Sequence, residues 1–407
     1  MTRPSILLSG MLAVLTTTVA VARSQPAPAL PPVEEGADET EADAVSAPVP
    51  EAVPHQNHKK AKAAEKKVKA DKKRRTGDTL EVTGRVFARG TASSEDSGAW
   101  QSDLGLASAR LGVDYQWRQK LRAEISYELT KSSLRDAYVQ LELGHGLRLR
   151  AGRFKLPVGA IEQTSAWTLP TIDRGMVADI LADGIAATGR RSALGLRWRA
   201  PERGAIRPSV EVVVAQLRKL GGGDTDALVG DGGGLTVAAR AEVQVRRRYT
   251  VALTGESRNV DFVNRVERFW TGSLEAELDL ADAGYGLRVW GDLVVGQSHF
   301  ARARYGVADA PFLAGHLIAG YRLGGADRSK SYVEPYLGVG WFNPTLDHKR
   351  DDVSEVTVGV AGGLWKRWRL QAQFAYQNAK SARPAGLRFD KDVNDELTIT
   401  TQVSTAF

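Results

Sequence analysis

The feature that most constrains the fold is a two-residue alternation of apolar and polar side chains, which runs with few breaks from residue 79 to residue 407. Between Leu121 and Leu129, for example, the odd positions are apolar or aromatic and the even positions carry Arg, Glu, Ser and Glu. Successive side chains of a strand point to opposite faces, so the pattern predicts strands with one apolar and one polar face. After residue 22 no apolar run reaches the roughly 20 residues of a membrane helix. An all-β protein is expected.

Sixteen segments show this alternation, and most approach the roughly 9–11 residues with which a tilted strand crosses a bilayer. They are 79–89, 104–115, 119–129, 134–143, 147–154, 192–199, 208–216, 233–245, 249–256, 269–280, 285–297, 311–323, 331–342, 353–364, 367–377 and 396–407. Apart from the short third link, 130–133, long links alternate with short ones, as in outer-membrane barrels. Closure would also remove the two sheet edges. The sequence therefore predicts a closed antiparallel transmembrane β-barrel of sixteen strands over residues 78–407.

The segment before the barrel lacks the alternation. Residues 1–22 combine Arg3, an apolar stretch and an Ala-x-Ala motif, which predicts a signal peptide. Residues 27–53 are rich in Pro, Ala and Glu, and residues 59–75 place ten basic residues against two acidic ones. Because neither part can build a core, residues 23–77 are expected to form a disordered periplasmic linker. Its Lys-rich part is either a solvated spacer or a contact with anionic headgroups or the cell wall.

The net basic charge does not indicate a nucleic-acid partner. The chain has 55 Lys and Arg against 48 Asp and Glu. It shows no basic stripe interleaved with stacking aromatic residues, and the predicted secretion also argues against a nucleic-acid partner. The expected partner of the barrel surface is the lipid bilayer of a bacterial outer membrane.

The composition also argues against enzymatic chemistry. The chain contains no cysteine, and its six histidines are scattered without a metal-ligand spacing. It has no Gly-x-Ser-x-Gly motif for a serine nucleophile. We therefore expect no catalytic residue, no metal and no cofactor.

The longest link, 155–191, is predicted to fold into the barrel and narrow it. Apolar residues such as Ile161, Leu169 and Ile180 would be unusual on a solvated outer loop, but they could pack against the inner wall. A protruding, ordered lid is the alternative. The candidate constriction residues are Lys155, Asp173, Arg174, Asp179, Arg190 and Arg191.

The polar faces of the strands predict a lumen with two differently charged walls. The early strands place arginine inward, and guanidinium groups suit anions. The candidate basic pore-lining residues are Arg85, Arg110, Arg122, Arg148, Arg150, Arg197 and Arg199. The later strands place acidic residues inward, with Glu275, Glu277 and Asp279 as the candidate pore-lining acids and Asp292, Glu334 and Glu355 on the same wall.

Three motifs occur in order within residues 134–198. They are Leu134-Arg135-Asp136-Ala137-Tyr138, then LRLRAGRFK at 147–155 followed by Pro157, and then Gly189-Arg190-Arg191 before a Gly-Leu strand. In this order they resemble the phosphate-selective porin O and P family. The resemblance implies a homotrimeric outer-membrane channel of sixteen strands, with inward-folded loops and basic residues that guide anions.

The final strand, with Leu397, Ile399, Val403 and Phe407 in one register, resembles the C-terminal signal that the barrel assembly machinery reads. The chain is thus expected to be a porin that passes small anions or other hydrophilic solutes by passive diffusion. A mild anion preference is expected, with phosphate as the specific candidate. A non-selective pore, or a structural or adhesive barrel blocked by the 155–191 link, is the alternative.

Overall fold

The structure is a computed structural model. It describes residues 77–94, 99–201, 204–216, 234–262, 265–281, 285–297, 311–324, 331–346, 352–364, 367–379 and 396–407. The predicted signal peptide, and the predicted linker up to residue 76, lie outside the described residues. In the part of the chain that is described, no helix is both long enough and apolar enough to cross a membrane.

Sixteen antiparallel strands form one closed barrel, in which each strand pairs with its sequence neighbours and β1 pairs with β16. The strands are β1 (Thr79–Ser94), β2 (Trp100–Trp117), β3 (Leu121–Glu128), β4 (Ser133–Gly144), β5 (Leu147–Lys155), β6 (Arg190–Arg199), β7 (Ile206–Gln216), β8 (Leu235–Val245), β9 (Tyr249–Phe262), β10 (Arg265–Asp279), β11 (Leu287–Gln297), β12 (Pro311–Tyr321), β13 (Tyr332–Asn343), β14 (Val353–Leu364), β15 (Trp368–Ala379) and β16 (Glu396–Ala406). The predicted fold class and strand number are confirmed.

The two faces of the barrel are inverted with respect to a water-soluble protein. On β3, Ile125 is 59% exposed and the next residue, Ser126, is 6% exposed. The same relation holds on β15 and β16, where Leu370, Phe374, Ile399 and Val403 are exposed while the alternate polar residues are buried. Apolar side chains that point outward in this way face lipid in a transmembrane barrel.

Two predicted long links are instead continuations of strands. β1 extends to Ser94 and β2 begins at Trp100, and β9 and β10 are separated only by residues 263–264. In both hairpins the ladder continues through polar residues, for example with Thr91 paired to both Thr400 and Asp103. The sequence pattern missed these extensions because both faces of the strands become polar there, while backbone pairing is unaffected by that change.

The barrel closes where its last residue meets its first strand. The backbone groups of Gly84 and Phe407 exchange two hydrogen bonds of 3.0 Å. The ring of Phe407 lies over Gly84, and a Cβ at that glycine would approach it to 2.0 Å. The terminal aromatic residue therefore covers the gap left by the glycine and helps to seal β1 against β16.

The link between β5 and β6, residues 156–189, lies inside the barrel, and we call it the lumen loop. It contains two short helices, α1 (Ala160–Gln163) and α2 (Met176–Asp179), followed by a π-helical turn at Ile180–Gly184. Leu156, Ile161 and Ile185 are fully buried. The apolar core of the protein therefore lies between this loop and the inner wall.

Candidate functional site

The lumen loop packs on the inner wall through three apolar clusters. Phe154, Leu156 and Val158 pack with Val213 and Ala238, on β7 and β8. Ile161 and Leu169 pack with Trp290 and Ile318, on β11 and β12. The largest cluster joins the α2 region to β11–β14, and its members are Met176, Val177, Ile180, Leu181, Ile185, Ala187, Val294, Phe312, Ala314, Phe342 and Val353. The loop thus covers the wall formed by the second half of the chain.

Acidic side chains of that wall bind backbone N–H groups of the loop. Glu275 accepts a hydrogen bond from Gly159 N (2.9 Å), and Asp292 accepts bonds from Ala160 N (2.7 Å) and Ile161 N (3.1 Å). Farther along the wall, Glu355 accepts a bond from Met176 N at 3.1 Å. A carboxylate that accepts backbone N–H groups at the start of a helical turn is favourably placed, because those groups have no intrahelical partner.

Basic side chains of the same wall bind backbone carbonyl groups of the loop. Arg369 donates to the carbonyl oxygens of Ala166 (3.2 Å), Trp167 (3.0 Å) and Leu169. Arg288 donates to the carbonyl oxygen of Thr168 at 3.2 Å. Wall side chains of both signs therefore hold the loop through its main chain.

The acidic residues of this wall were predicted to line an open pore, but the loop covers part of them. Glu275, expected to line the pore, is 1% exposed and is paired with Arg240 beneath the loop. Asp279 lies 3.4 Å from the buried Arg288, and Glu277 is half-buried in register with Trp290. Glu334 is also 1% exposed, between Arg288 and Arg322. The prediction was wrong for Glu275, because the loop needs acceptors for its backbone and the acids supply them.

One edge of the loop reaches β1. Arg85 donates to Ser165 Oγ at 3.2 Å, and Arg89 forms an ion pair of 3.0 Å with Asp173. Between these contacts the rings of Phe87 and Trp167 stack with centroids 6.3 Å apart. The loop therefore extends along the inner wall as far as β1, and the inner faces of β2–β6 lie opposite it.

The inner faces of β2–β6 carry the remaining predicted arginines, most of them beside a carboxylate. Arg110 lies 3.6 Å from Glu128, and Arg148 lies 2.7 Å from Glu142. Arg122 contacts both Asp114 (2.5 Å) and Glu124 (2.8 Å). Arg197 and Arg199 share Glu242, at 3.6 and 3.1 Å. Arg122 and Arg148 each expose 38% of the side chain, so water reaches this face.

Arg150 has a different environment from its neighbours. Its Nε and Nη2 donate to Gln140 Oε1 at 3.2 and 2.9 Å, and its guanidinium group lies over the rings of Tyr138 and Phe154. Its partners among the described residues are thus neutral.

The predicted constriction residues are divided between the loop and its two supporting strands. Lys155 ends β5 and contacts Glu162, which also lies 3.4 Å from Arg174. Arg190 begins β6 and forms a two-point contact with Asp136, at 2.9 and 3.0 Å. Arg191 and Asp179 differ in their exposure to solvent. Arg191 is 2% exposed, and its Nη2 donates to the carbonyl oxygen of Ala186. Asp179 is exposed on the loop. The buried position of Arg191 indicates a structural contact.

Sequence reasoning missed the residues that hold the loop. Asp292 and Glu355 were expected on an open wall, and Gln373, which accepts a bond from Ile172 N at 2.9 Å, carried no signal. Their partners are backbone atoms more than a hundred residues away, so no local pattern marks them.

A closed sixteen-stranded barrel with an apolar outer face, a charged inner face and a long link folded into its lumen defines the outer-membrane porin class. The family model described as phosphate-selective porin O and P matches residues 79–210. This match confirms the predicted resemblance over that region, which includes all three motifs. No curated protein sequence is significantly similar to the chain.

Three solved structures share the fold. The anion-selective porin from Comamonas acidovorans is 14% identical with a TM-score of 0.52, covering 81% of this chain and 100% of that one. The outer-membrane channel DcaP of Acinetobacter baumannii is 12% identical with a TM-score of 0.55, covering 81% and 98%. OmpF of Salmonella typhi, in complex with daunomycin, is 11% identical with a TM-score of 0.57, covering 82% and 98%. At these identities the likeness establishes the fold.

Proposed function

We propose that the protein is an outer-membrane porin through which small hydrophilic solutes diffuse passively, between the lumen loop and the inner faces of β2–β6. The observation that carries this proposal is the one-sided packing of the loop. It covers the wall of β7–β15, whereas Arg122 and Arg148 on the opposite wall stay in contact with water. The family match and the porin fold point to a channel rather than an enzyme.

The charges along this path support a mild preference for anions. The loop removes Glu275 and Glu334 from the lumen. The accessible charges are then those of β2–β6, where the arginines slightly outnumber the acids. Most of these arginines are nevertheless paired with a carboxylate, so their fields are largely compensated. Fixed charge acts most strongly where the passage is narrow and water screens it least.

The family description makes phosphate the first anion to test. Guanidinium groups bind phosphate through paired hydrogen bonds. Arg85 and Arg110 are register partners on β1 and β2, and both lie near enough to Arg190, at the start of β6, for their charges to interact. The acids Glu128 and Asp136 lie within the same group. A general anion preference is therefore better supported than exclusive selection of phosphate.

The assembly and the cell location complete this proposal. We place the chain in a bacterial outer membrane, as a homotrimer, with its N-terminal extension in the periplasm. The barrel assembly machinery would recognise the last strand together with the exposed Phe407 that follows it. Chemical crosslinking of the refolded protein, and protease access to residues 23–77 in intact and lysed cells, test the trimer and the orientation.

Planar-bilayer recording tests the proposed function. The refolded full chain should form discrete channels, and its reversal potential in a KCl gradient should indicate a modest excess of chloride over potassium permeability. Replacing Arg148 and Arg150 together with glutamate should shift the reversal potential toward cation preference. Folded protein without conductance would instead support a structural or adhesive barrel with a blocked lumen, and an unchanged potential would show that these arginines do not line the passage.

A further inference from the structure

Two motifs of the sequence meet around one arginine. Tyr138, from the Leu-Arg-Asp-Ala-Tyr segment of β4, is the register partner of Gly152 on β5. Gly152 lies between Arg150 and Phe154 on the same inner face of β5, by strand alternation. Its φ is 126°, and a Cβ there would come within 2.2 Å of the Ala137 carbonyl oxygen and 2.7 Å of Tyr138 Cα. The absence of a side chain at Gly152 therefore allows the backbones of β4 and β5 to approach closely at this pair.

The guanidinium group of Arg150 packs against the rings of Tyr138 and Phe154. The carbon Cζ of Arg150 is 4.9 Å from the Tyr138 ring centroid and 5.2 Å from that of Phe154, and the two rings meet edge to face at 6.3 Å. Tyr138 is itself fixed, because its hydroxyl donates to Glu124 at 2.6 Å. Cation–π contacts with two rings that stand nearly at a right angle restrain the guanidinium group and the direction of its donors.

The hydrogen bonds of Arg150 leave one edge of this plane open. Gln140 occupies the Nε–Nη2 edge. The Nη1–Nη2 edge has no partner among the described residues, and no described carboxylate forms an ion pair with Arg150, in contrast to Arg122 and Arg148. The side chain therefore presents an uncompensated charge with two parallel N–H donors.

We infer that Arg150 makes the channel more permeable to carboxylates than to chloride. Tyr138 and Phe154 are the residues that position its guanidinium group. This inference rests on the proposed channel function and specifies a solute class for it. A carboxylate offers two coplanar oxygens that match the guanidinium fork, whereas chloride accepts from one direction without such a match. The contacts with the two rings strengthen the preference for carboxylates, because the guanidinium group is already ordered and binding does not incur that entropic cost.

The test is the permeability ratio of acetate to chloride, from the zero-current potential with potassium acetate on one side of a planar bilayer and KCl on the other. Arg150→Lys keeps the charge but removes the fork, so the ratio should fall about 2- to 10-fold, the factor that corresponds to one net hydrogen bond. Tyr138→Leu removes the ring without altering a charged group in the lumen and should lower the ratio in the same direction. Tyr138→Phe keeps the ring but loses the hydroxyl bond to Glu124, so it should lower the ratio less than Tyr138→Leu does.

Arg118→Lys is the matched control, since Arg118 also lies over an aromatic ring (5.5 Å from the Trp117 centroid) but in the turn between β2 and β3. It should leave the ratio unchanged. An unchanged ratio in open channels of Arg150→Lys overturns the inference, whether or not Tyr138→Leu folds. A fall in both Tyr138 variants alike would overturn the positioning role of the ring. Absence of channels in the unaltered protein would reject the proposed function instead.

Discussion

Asp292 on β11 accepts a hydrogen bond of 2.7 Å from the backbone N–H of Ala160, a residue that precedes it by 132 positions. The same carboxylate also accepts a bond from Ile161 N. The contact fixes the start of α1 against the inner wall without using any side chain of the loop. The position of the lumen loop, and with it the face of the barrel left open to solutes, depends on contacts of this kind.

Replacing Asp292 with alanine should loosen the loop. Two N–H groups lose their acceptor, at a cost of about 1–3 kcal/mol for each group left unsatisfied. Single-channel recordings should then show greater open-channel noise, and the reversal potential should shift toward cations as Glu275 becomes accessible. Glu81→Ala, which removes an exposed acid at the start of β1, is the control. Currents as quiet as those of the unaltered protein would show that the loop does not depend on this anchor.

Gly152→Ala should prevent folding of the barrel. The φ of 126° at Gly152 disfavours any other residue, and the added Cβ would collide with backbone atoms of β4. Gly255→Ala on β9 is the matched substitution, because a methyl group at that position would meet no atom of the described residues within 4 Å. Folding into liposomes, followed by heat-modified gel mobility, should separate the two variants. Equal folding yields would contradict the close approach of β4 and β5.

Ile125→Arg should destabilise the barrel by about 2–4 kcal/mol if residue 125 lies near the bilayer midplane. Ile125 is 59% exposed on the outer face, so the substitution places a charge in lipid. Thr83→Arg is the comparison: Thr83 is exposed, and its Oγ1 lies beside Gly112 on the inner face. Urea titrations of folding into liposomes measure both. A loss in Thr83→Arg as large as that in Ile125→Arg would refute the assignment of the two faces.

Asp173→Asn should increase the anion preference. Asp173 is the loop partner of Arg89, at 3.0 Å, and its neutralisation leaves that guanidinium uncompensated at the edge of the loop. The effect should weaken with salt, since the Debye length falls from about 10 Å at 0.1 M to about 3 Å at 1 M. Reversal potentials recorded at 0.1 M and at 1 M salt measure how strongly the anion preference depends on salt. Asp78→Asn, outside the strands, is the control, and an effect that does not depend on salt would indicate a change of loop shape rather than of charge.

The sequence by itself determined the barrel. Residues such as Ile125 and Ser126 reveal their opposite faces because each strand must satisfy lipid on one side and a polar lumen on the other, a constraint that repeats every two residues. The same alternation predicted sixteen strands and the inward arginines. It failed at the tips of β1–β2 and β9–β10, where both faces are polar and only the backbone ladder continues.

Tertiary structure alone decided how the lumen is divided. Apolar residues such as Ile161 and Leu169 indicated that the long link folds inward, but not which wall it covers. That choice is made by Asp292, Glu355 and Arg369, whose side chains bind backbone groups of the loop. Every peptide unit offers the same N–H and carbonyl groups, so such contacts leave no mark in the sequence of the loop. The same limit applies to Arg150 and Tyr138: their separate motifs were visible, but only strand pairing across Gly152 brings the ring onto the guanidinium group.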